Sequence, residues 1–304
     1  MLSDDISRYV ELRRSLGFKI RLAACLLRRY AEFAEARGDM FVQSRTVVDW
    51  AAEAPSAPQR SERLSVVRRF ARHVHAEDKH HEVPPARAFG RPPRLRRMPH
   101  IYTPEEVQRL LRAAAQLTPA ESIRPITYVT LLSLLFSTGL RISEALGLRL
   151  DDITPDGLVV RQTKFRKSRL VPLHPTARDG IERYLAVRSR VRTTDRSVFV
   201  SLWGRGLAYS TVCATFLAFS RSAGLRHGPG TPGGRLHDAR HTFAVRSLET
   251  CHGANAHEIA RHALALSTYL GHAHPSDTFW YLHATPTLLQ DIAAAGKSLF
   301  GGRP

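Results

Sequence analysis

The chain has 304 residues, 43% of them hydrophobic, with 45 Lys+Arg against 27 Asp+Glu and a formal net charge of +18. That apolar fraction excludes a mainly disordered chain, and no apolar run reaches the ~18–20 residues of a membrane span. So basic a chain attracts a polyanion in a salt-dependent way, and the length accommodates two domains of roughly 100–200 residues.

The opening MLSDDISRYV carries two early acids and no apolar segment, which does not read as a signal peptide. Residues 1–82 read as all-helical. Apolar spacing runs through Ile6, Val10 and Leu16, then through Leu22, Leu26, Tyr30 and Phe33, and stops near Gly38. Ser44 is placed to cap a third helix carrying Val47, Val48 and Trp50. A fourth helix carries Leu64, Val67, Phe70, Ala71 and Val74, with Arg60, Arg63, Arg68, Arg69 and Arg72 on its other face. That face suits phosphate contact, or a plain solvated basic surface. The nearby His73, His75, His80 and His81 read as a solvated helix end.

Residues 83–103 contain five prolines, five arginines and no acid, which precludes a regular helix. This stretch is the expected linker, and Arg94, Arg96 and Arg97 suit it to lie along a phosphate backbone. The second unit, 104–304, opens on Thr103-Pro104-Glu105-Glu106, a capping box with proline at the first helical position. A buried helix over about 123–137 follows, broken at Thr138-Gly139-Leu140, with a short helix from Arg141. Gly157–Lys164 and Arg169–Leu173 read as two strands joined by a polar turn. Helices are expected near 175–190, 210–223, 237–250, 255–270, 276–283 and 286–297. The glycine-rich Gly228–Gly234 lacks the ending of a phosphate-binding loop. Cys25, Cys213 and Cys251 are widely spaced, so neither a disulfide framework nor a cysteine zinc site is expected; a reducing, cytoplasmic setting fits.

Five places in the second unit carry unusual chemistry. In Gly139-Leu-Arg141-Ile-Ser-Glu144 an arginine stands at a helix start after a glycine break, placed to grip two oxygens of one phosphate, with Glu144 a turn later to orient it. The hairpin holds Lys164, Arg166, Lys167 and Arg169, read as a solvated basic tip or, for Arg166, Lys167 and Arg169, as DNA-contacting cations; lysine, unlike arginine, can give up a proton. In His237-Asp-Ala-Arg240-His241 the i, i+3 spacing sets an imidazole beside a guanidinium. A His237–His241 zinc pair is the alternative, without a third ligand at typical spacing. Leu270-Gly271-His272 and Phe279-Trp280-Tyr281-Leu-His283 complete the set; read alone, Tyr281 fits core packing equally well.

Together GLRISE at 139–144, TKFRKSRLVPL at 163–173, HDARHTFA at 237–244 and LGHAHPSDTFWYLH at 270–283 resemble the tyrosine recombinase (phage integrase) family of site-specific DNA recombinases. The resemblance covers the second unit and extends more loosely to the first. It implies a mainly α fold with a small β-hairpin or sheet. An N-terminal helical, SAM-like core-binding domain and a C-terminal catalytic domain would form a C-shaped clamp on double-stranded DNA. It implies that Arg141 and Arg240 hold the scissile phosphate, Lys164 protonates the leaving 5′ oxygen, and His237 takes or shares the tyrosine proton. His272 would hydrogen-bond the phosphate and Tyr281 would be the nucleophile; Lys167 is a rival proton donor. It further implies a homo-tetramer on paired sites, with sister recombinases as an option, serving integration, transposition or excision of a mobile element. No metal, ATP or other cofactor is expected, and no membrane.

Elementary chemistry agrees. A phosphodiester repels nucleophiles and has a poor leaving group, and fixed cations stabilise the charge that builds during displacement. A tyrosine of pKa about 10 needs neighbouring positive charge to attack. Two other readings are a DNA-binding accessory protein that does not cut and a type IB topoisomerase-like activity. The connection between Arg240 and Leu270, with Cys251–Asn255 and then an Ala/His helix, reads as longer than is usual in the family it resembles. Trp280 suits core filling or a wedge against DNA, and Leu288, Leu289 and Ile292 suit a tail docked on a neighbour or folded back.

Overall fold

The computed structural model describes residues 1–18, 20–90, 98–161, 168–226, 228, 233–251, 256–271 and 281. The chain divides into two compact units, Met1–Arg96 and Arg97–Pro304. Among the described residues no helix is long and apolar enough to cross a membrane.

Unit 1 packs α1 (Leu2–Ser15), α2 (Arg21–Glu35), α3 (Ser44–Ala52) and α4 (Ala57–Glu77) around one apolar core. The stripe of α1 is Leu2, Ile6 and Val10, while Leu16 lies beyond the helix and is exposed, as is Leu22 at the start of α2. The buried stripe of α1 is therefore shifted one turn toward the N-terminus from its sequence reading, and α2 buries Ala24, Leu27, Tyr30, Ala31 and Ala34. Ser44 does not cap α3. Gln43 is the N-cap, and the Ser44 amide instead donates to Glu82 Oε2 at 2.8 Å. Leu64, Val67, Phe70, Ala71 and Val74 of α4 are buried, as their spacing requires.

The histidines after α4 are not uniformly solvated. His80 is exposed, but His81 is buried, and its Nδ1 accepts the Val42 amide at 3.1 Å. The backbone carbonyl of His81 also contacts His75 Nδ1 at 2.5 Å. Both ends of the 83–103 stretch are packed. Arg68 Nε donates to Pro84 O at 2.9 Å and Phe89 lies on the unit 1 core, while Tyr102 is buried in unit 2. The composition of this stretch excludes helix but does not exclude burial of its aromatic side chains.

Unit 2 opens with α5 (Pro104–Ala115), whose Thr103–Glu106 capping box is closed from both sides, at 3.2 and 3.0 Å. The apolar α6 (Ile123–Thr138) runs through the centre of the larger core. Its end is fixed by Gly139 at φ +62, in the left-handed region where a side chain is costly. The chain then enters α7 (Ile142–Gly147) and a single 3₁₀ turn, Leu150–Asp152. Three short antiparallel strands follow in order β1 (Ile153–Thr154), β2 (Gly157–Val160) and β3 (Arg169–Val171). β1 is additional to the two strands expected; at two residues it is too short to show alternation. Leu158 pairs with Val171 and Val160 with Arg169. Helices α8 (Pro175–Arg188), α9 (Tyr209–Ser222), α10 (Asp238–Glu249) and α11 (Ala256–Leu270) complete the described unit. The expected helix at 286–297 lies outside the described residues, as does 276–283 except for helical Tyr281.

Gly139 holds its neighbours as well as its turn. A Cβ there would lie 2.5 Å from Phe243 Cδ1 and 3.1 Å from Leu270 Cδ2. Gly139→Ala should therefore lower the unfolding free energy by about 2–4 kcal/mol, combining left-handed strain with overpacking. Gly147→Ala, where a Cβ meets nothing within 4 Å, should change it by less than about 0.5 kcal/mol. Denaturant titration of the two variants checks the contrast.

Candidate active site

The polar residues of unit 2 meet where four helix ends converge. Arg141 is the N-cap of α7, directly after the Gly139 turn, and its backbone is extended. Its amide donates to Glu144 Oε2 at 3.0 Å and its guanidinium to Oε1 at 2.8 Å. A second guanidinium nitrogen reaches Gly271 O at 3.4 Å. Arg240, in the first turn of α10, is 2% exposed. It donates to Gly139 O at 2.9 Å and to Leu270 O at 2.6 Å, joining the ends of α6 and α11.

Arg169 occupies the third position. It faces Val160 across the ladder and shares the inward face with Val171, while Leu170 between them is exposed. Its Nε donates to Tyr269 O at 2.8 Å, and its terminal nitrogens form a fork on Glu144 at 3.1 and 2.8 Å. The carbonyls of Tyr269, Leu270 and Gly271 thus each receive a different arginine. A helix C-terminus leaves its last carbonyls without intrahelical partners and carries partial negative charge, so it draws cations.

The rings of His237 and His241 lead toward Tyr281. His237 is the N-cap of α10, and its ring meets that of His241, one turn on, edge to face at 4.8 Å. The His241 ring lies 5.3 Å from that of Tyr281. Tyr281 is 3% exposed, packed with Ala244, Val245, Leu248, Ala263, Leu266 and Leu270. Core packing and proximity to the charged groups therefore hold together for this tyrosine. Asp238 is buried, receives three bonds from Arg235 and stands 4.0 Å from His241 Nε2. Among the described residues no group of three or more His, Cys, Asp or Glu side chains gathers to hold a metal ion.

Burial and mutual repulsion set the protonation states. Arg240 is pushed down to about 10 by burial and by Arg141, with Tyr281 and Glu144 opposing. Burial also lowers His237, reinforced by Arg240, and lowers His241 to about 4, reinforced by His237. Burial alone would raise the Glu144 carboxyl, yet the hydrogen bonds from Arg169 and the Arg141 amide hold it at about 2. Three guanidiniums around one carboxylate leave an excess of positive charge suited to an oxyanion. The lowered His241 ring lies beside the phenol of Tyr281, and the His237 ring lies next to His241.

Arg141, His237, Arg240 and Tyr281 are thus brought to one region. Lys164, His272, Trp280, Arg166, Lys167, Arg94, Arg96 and Arg97 lie outside the described residues. On α4, Arg69 and Arg72 are exposed. Arg60 holds Ala54 O at 2.9 Å, and Arg63 holds Trp50 O at 2.8 Å and covers the Trp50 ring. With Arg68 on Pro84 O and the exposed Arg69 on Ser65 O at 3.2 Å, four of the five arginines bond backbone of their own unit. Sequence reading missed the role of His241 beside Tyr281, although its i, i+4 spacing from His237 on one helix face carried the signal. It also set Arg169 among surface cations, although the alternation Arg169-Leu170-Val171 turns it inward.

The family described as "Phage integrase family" matches residues 101–287. The integrase/recombinase y4rB of Sinorhizobium fredii is 38% identical over 298 residues, 94% of each chain. The tyrosine recombinase XerD of Mycobacterium tuberculosis is 31% identical, covering 88% of each. In fold, the chain resembles a lambda integrase dimer bound to a core site, with TM-score 0.62 at 18% identity over 92% of this chain and 94% of that one.

Acid should loosen this region. Unfolded histidine titrates near 6.5, and His241 at about 4 lies below it. As the pH falls, the unfolded chain therefore binds the proton first. Stability from the neutral ring is full above about 6.5 and is lost as the pH drops toward 4. Thermal denaturation at stepped pH should show the midpoint falling across that window, with a shallower fall in His241→Asn.

Proposed function

Because this chain belongs to the phage integrase family and is a site-specific DNA recombinase, we propose that Tyr281 is its nucleophile and that Arg141 and Arg240 supply the charge holding the scissile phosphate. The observation that carries the reading is the convergence of both arginines, His237 and a buried tyrosine on one cluster within a single chain. The phenol oxygen of Tyr281 attacks phosphorus as the bond to the 5′ oxygen breaks. The phenolic proton passes to the neutral His237–His241 pair, and Lys164 gives its proton to the departing 5′ alkoxide. His272 donates to a phosphate oxygen. The 3′-phosphotyrosyl ester conserves the bond energy, so the 5′ hydroxyl of a second strand can reverse the step on a new partner.

Arg141 is the more accessible of the two arginines, its side chain 27% exposed, and it meets the phosphate first. Arg240 stands behind it with two nitrogens fixed on carbonyls and contributes field. The exposed Arg69 and Arg72, with Arg94, Arg96, Arg97, Arg166 and Lys167, suit backbone contacts along double-stranded DNA. Assembly is read as a homo-tetramer on paired sites; a lambda integrase tetramer bound to a Holliday junction is among the proteins of similar fold. Action on chromosomal or mobile-element DNA sets it in the cytoplasm. The accessory-protein and topoisomerase readings draw no support from relatives named integrases and recombinases.

A nicked suicide duplex carrying the site should trap a covalent adduct on denaturing gels, and Tyr281→Phe should abolish it. An undiminished adduct in Tyr281→Phe would place the nucleophile elsewhere. Arg141→Lys keeps the charge and loses the two-pronged grip. Cleavage should fall about 10²–10³-fold, as for loss of a donor to a developing oxyanion, with DNA affinity within about threefold. Equal losses in rate and affinity would make Arg141 an anchor only.

A further inference from the structure

We infer that Arg169 is a positioning residue of the strand-transfer site: through Glu144 and the end of α11 it sets the guanidinium of Arg141. The inference rests on Arg141 as the phosphate clamp. Arg169 would otherwise count among the DNA-contacting cations of the hairpin, and its surroundings argue against that. Its side chain is 14% exposed, and all three guanidinium nitrogens have protein acceptors. None of those acceptors is on its own strand: one is the α11 carbonyl of Tyr269 and two are the oxygens of Glu144.

The geometry makes the linkage directional. Glu144 uses both oxygens twice, Oε1 for Arg141 and Arg169 and Oε2 for the Arg141 amide and Arg169. Its carboxylate plane is therefore fixed by the Arg169 fork, and the Arg141 guanidinium is hung from that plane. The same Arg169 packs under the turn after α11. A Cβ on Gly271 would lie 3.1 Å from its Nη1, and Gly271 O is the other acceptor of Arg141. Both protein contacts that aim Arg141 thus lean on Arg169. A lysine there keeps the charge but cannot fork onto two oxygens while also bonding Tyr269 O.

Arg169→Ala should slow cleavage of a normal site on the order of 10–100-fold, the range for removing a group that orients a contacting residue. DNA affinity and its salt dependence should stay unchanged within about threefold. The decisive readout is a duplex whose scissile phosphate is replaced by methylphosphonate. That neutral group has less need of a cation, so the defects of Arg141→Ala and Arg169→Ala should both shrink several-fold on it. A defect in Arg169→Ala as large on methylphosphonate as on phosphate, while Arg141→Ala recovers, overturns the inference in favour of general destabilisation. Weakened DNA binding with a normal cleavage rate overturns it in favour of a direct DNA contact. If Arg141→Ala does not recover, the clamp assignment itself fails. The link to Glu144 is then judged by a cycle of Arg169→Lys with Glu144→Gln on cleavage rate: coupled losses sustain it and additive losses overturn it.

Discussion

The last turn of α11 is the point on which unit 2 depends. Its three terminal carbonyls, Tyr269, Leu270 and Gly271, accept from Arg169, Arg240 and Arg141, which arrive from β3, α10 and the turn after α6. The attraction is elementary: orphan carbonyls and a helix dipole offer negative potential, and guanidiniums carry enough donors to meet it. What is unusual is gathering three like charges at one helix end with a single carboxylate among them.

That gathering has an energetic consequence. Burial out of water, and after it repulsion from Arg141, drives Arg240 down to about 10. Glu144 relieves part of the repulsion and is held ionised in return, at about 2. Removing one member of a buried charged network leaves the others uncompensated, so such deletions commonly cost more than the pair contributes. A cluster held slightly too positive is also ready for an anion, because a bound oxyanion would complete the charge balance that Glu144 only begins. Preorganisation of this kind lets the charge of a transition state be met without rearrangement.

Local rules in the sequence carried most of the element order. The Thr103–Glu106 box, the Gly139 stop and the apolar spacing of α4 each rest on neighbours within a few residues, and each is visible in the chain as read. What depends on distant partners was less legible. Leu16 and Leu22 satisfy a helical period yet face outward, because Leu2, Ala24 and Leu27 fill the core instead. Ser44 is a good cap by type, but Glu82, 38 residues away, takes its amide. His81 looks like surface until the Val42 amide is seen to need an acceptor. In the candidate site, residue identities pointed to Arg141, His237, Arg240 and Tyr281, whereas the inward turn of Arg169 becomes clear only once β3 pairs with β2 and its register is fixed.

The bond lengths also divide the cations into fixed and adjustable ones. Arg240 is held at 2.9 and 2.6 Å and Arg169 at 2.8 Å on each of its strongest bonds, all well short of the ~3.2 Å upper end of the ordinary range. Arg141 is anchored at one end by Glu144 at 2.8 Å, but its contact with Gly271 O is 3.4 Å, near the limit of a hydrogen bond. Exchanging that contact for an anionic oxygen would sacrifice little and gain a charge-assisted bond. The cluster therefore has one prong free to trade a weak carbonyl for a ligand, while two others hold the frame against which it moves. Rigidity and adaptability are assigned to different arginines by which carbonyl each one holds and how tightly.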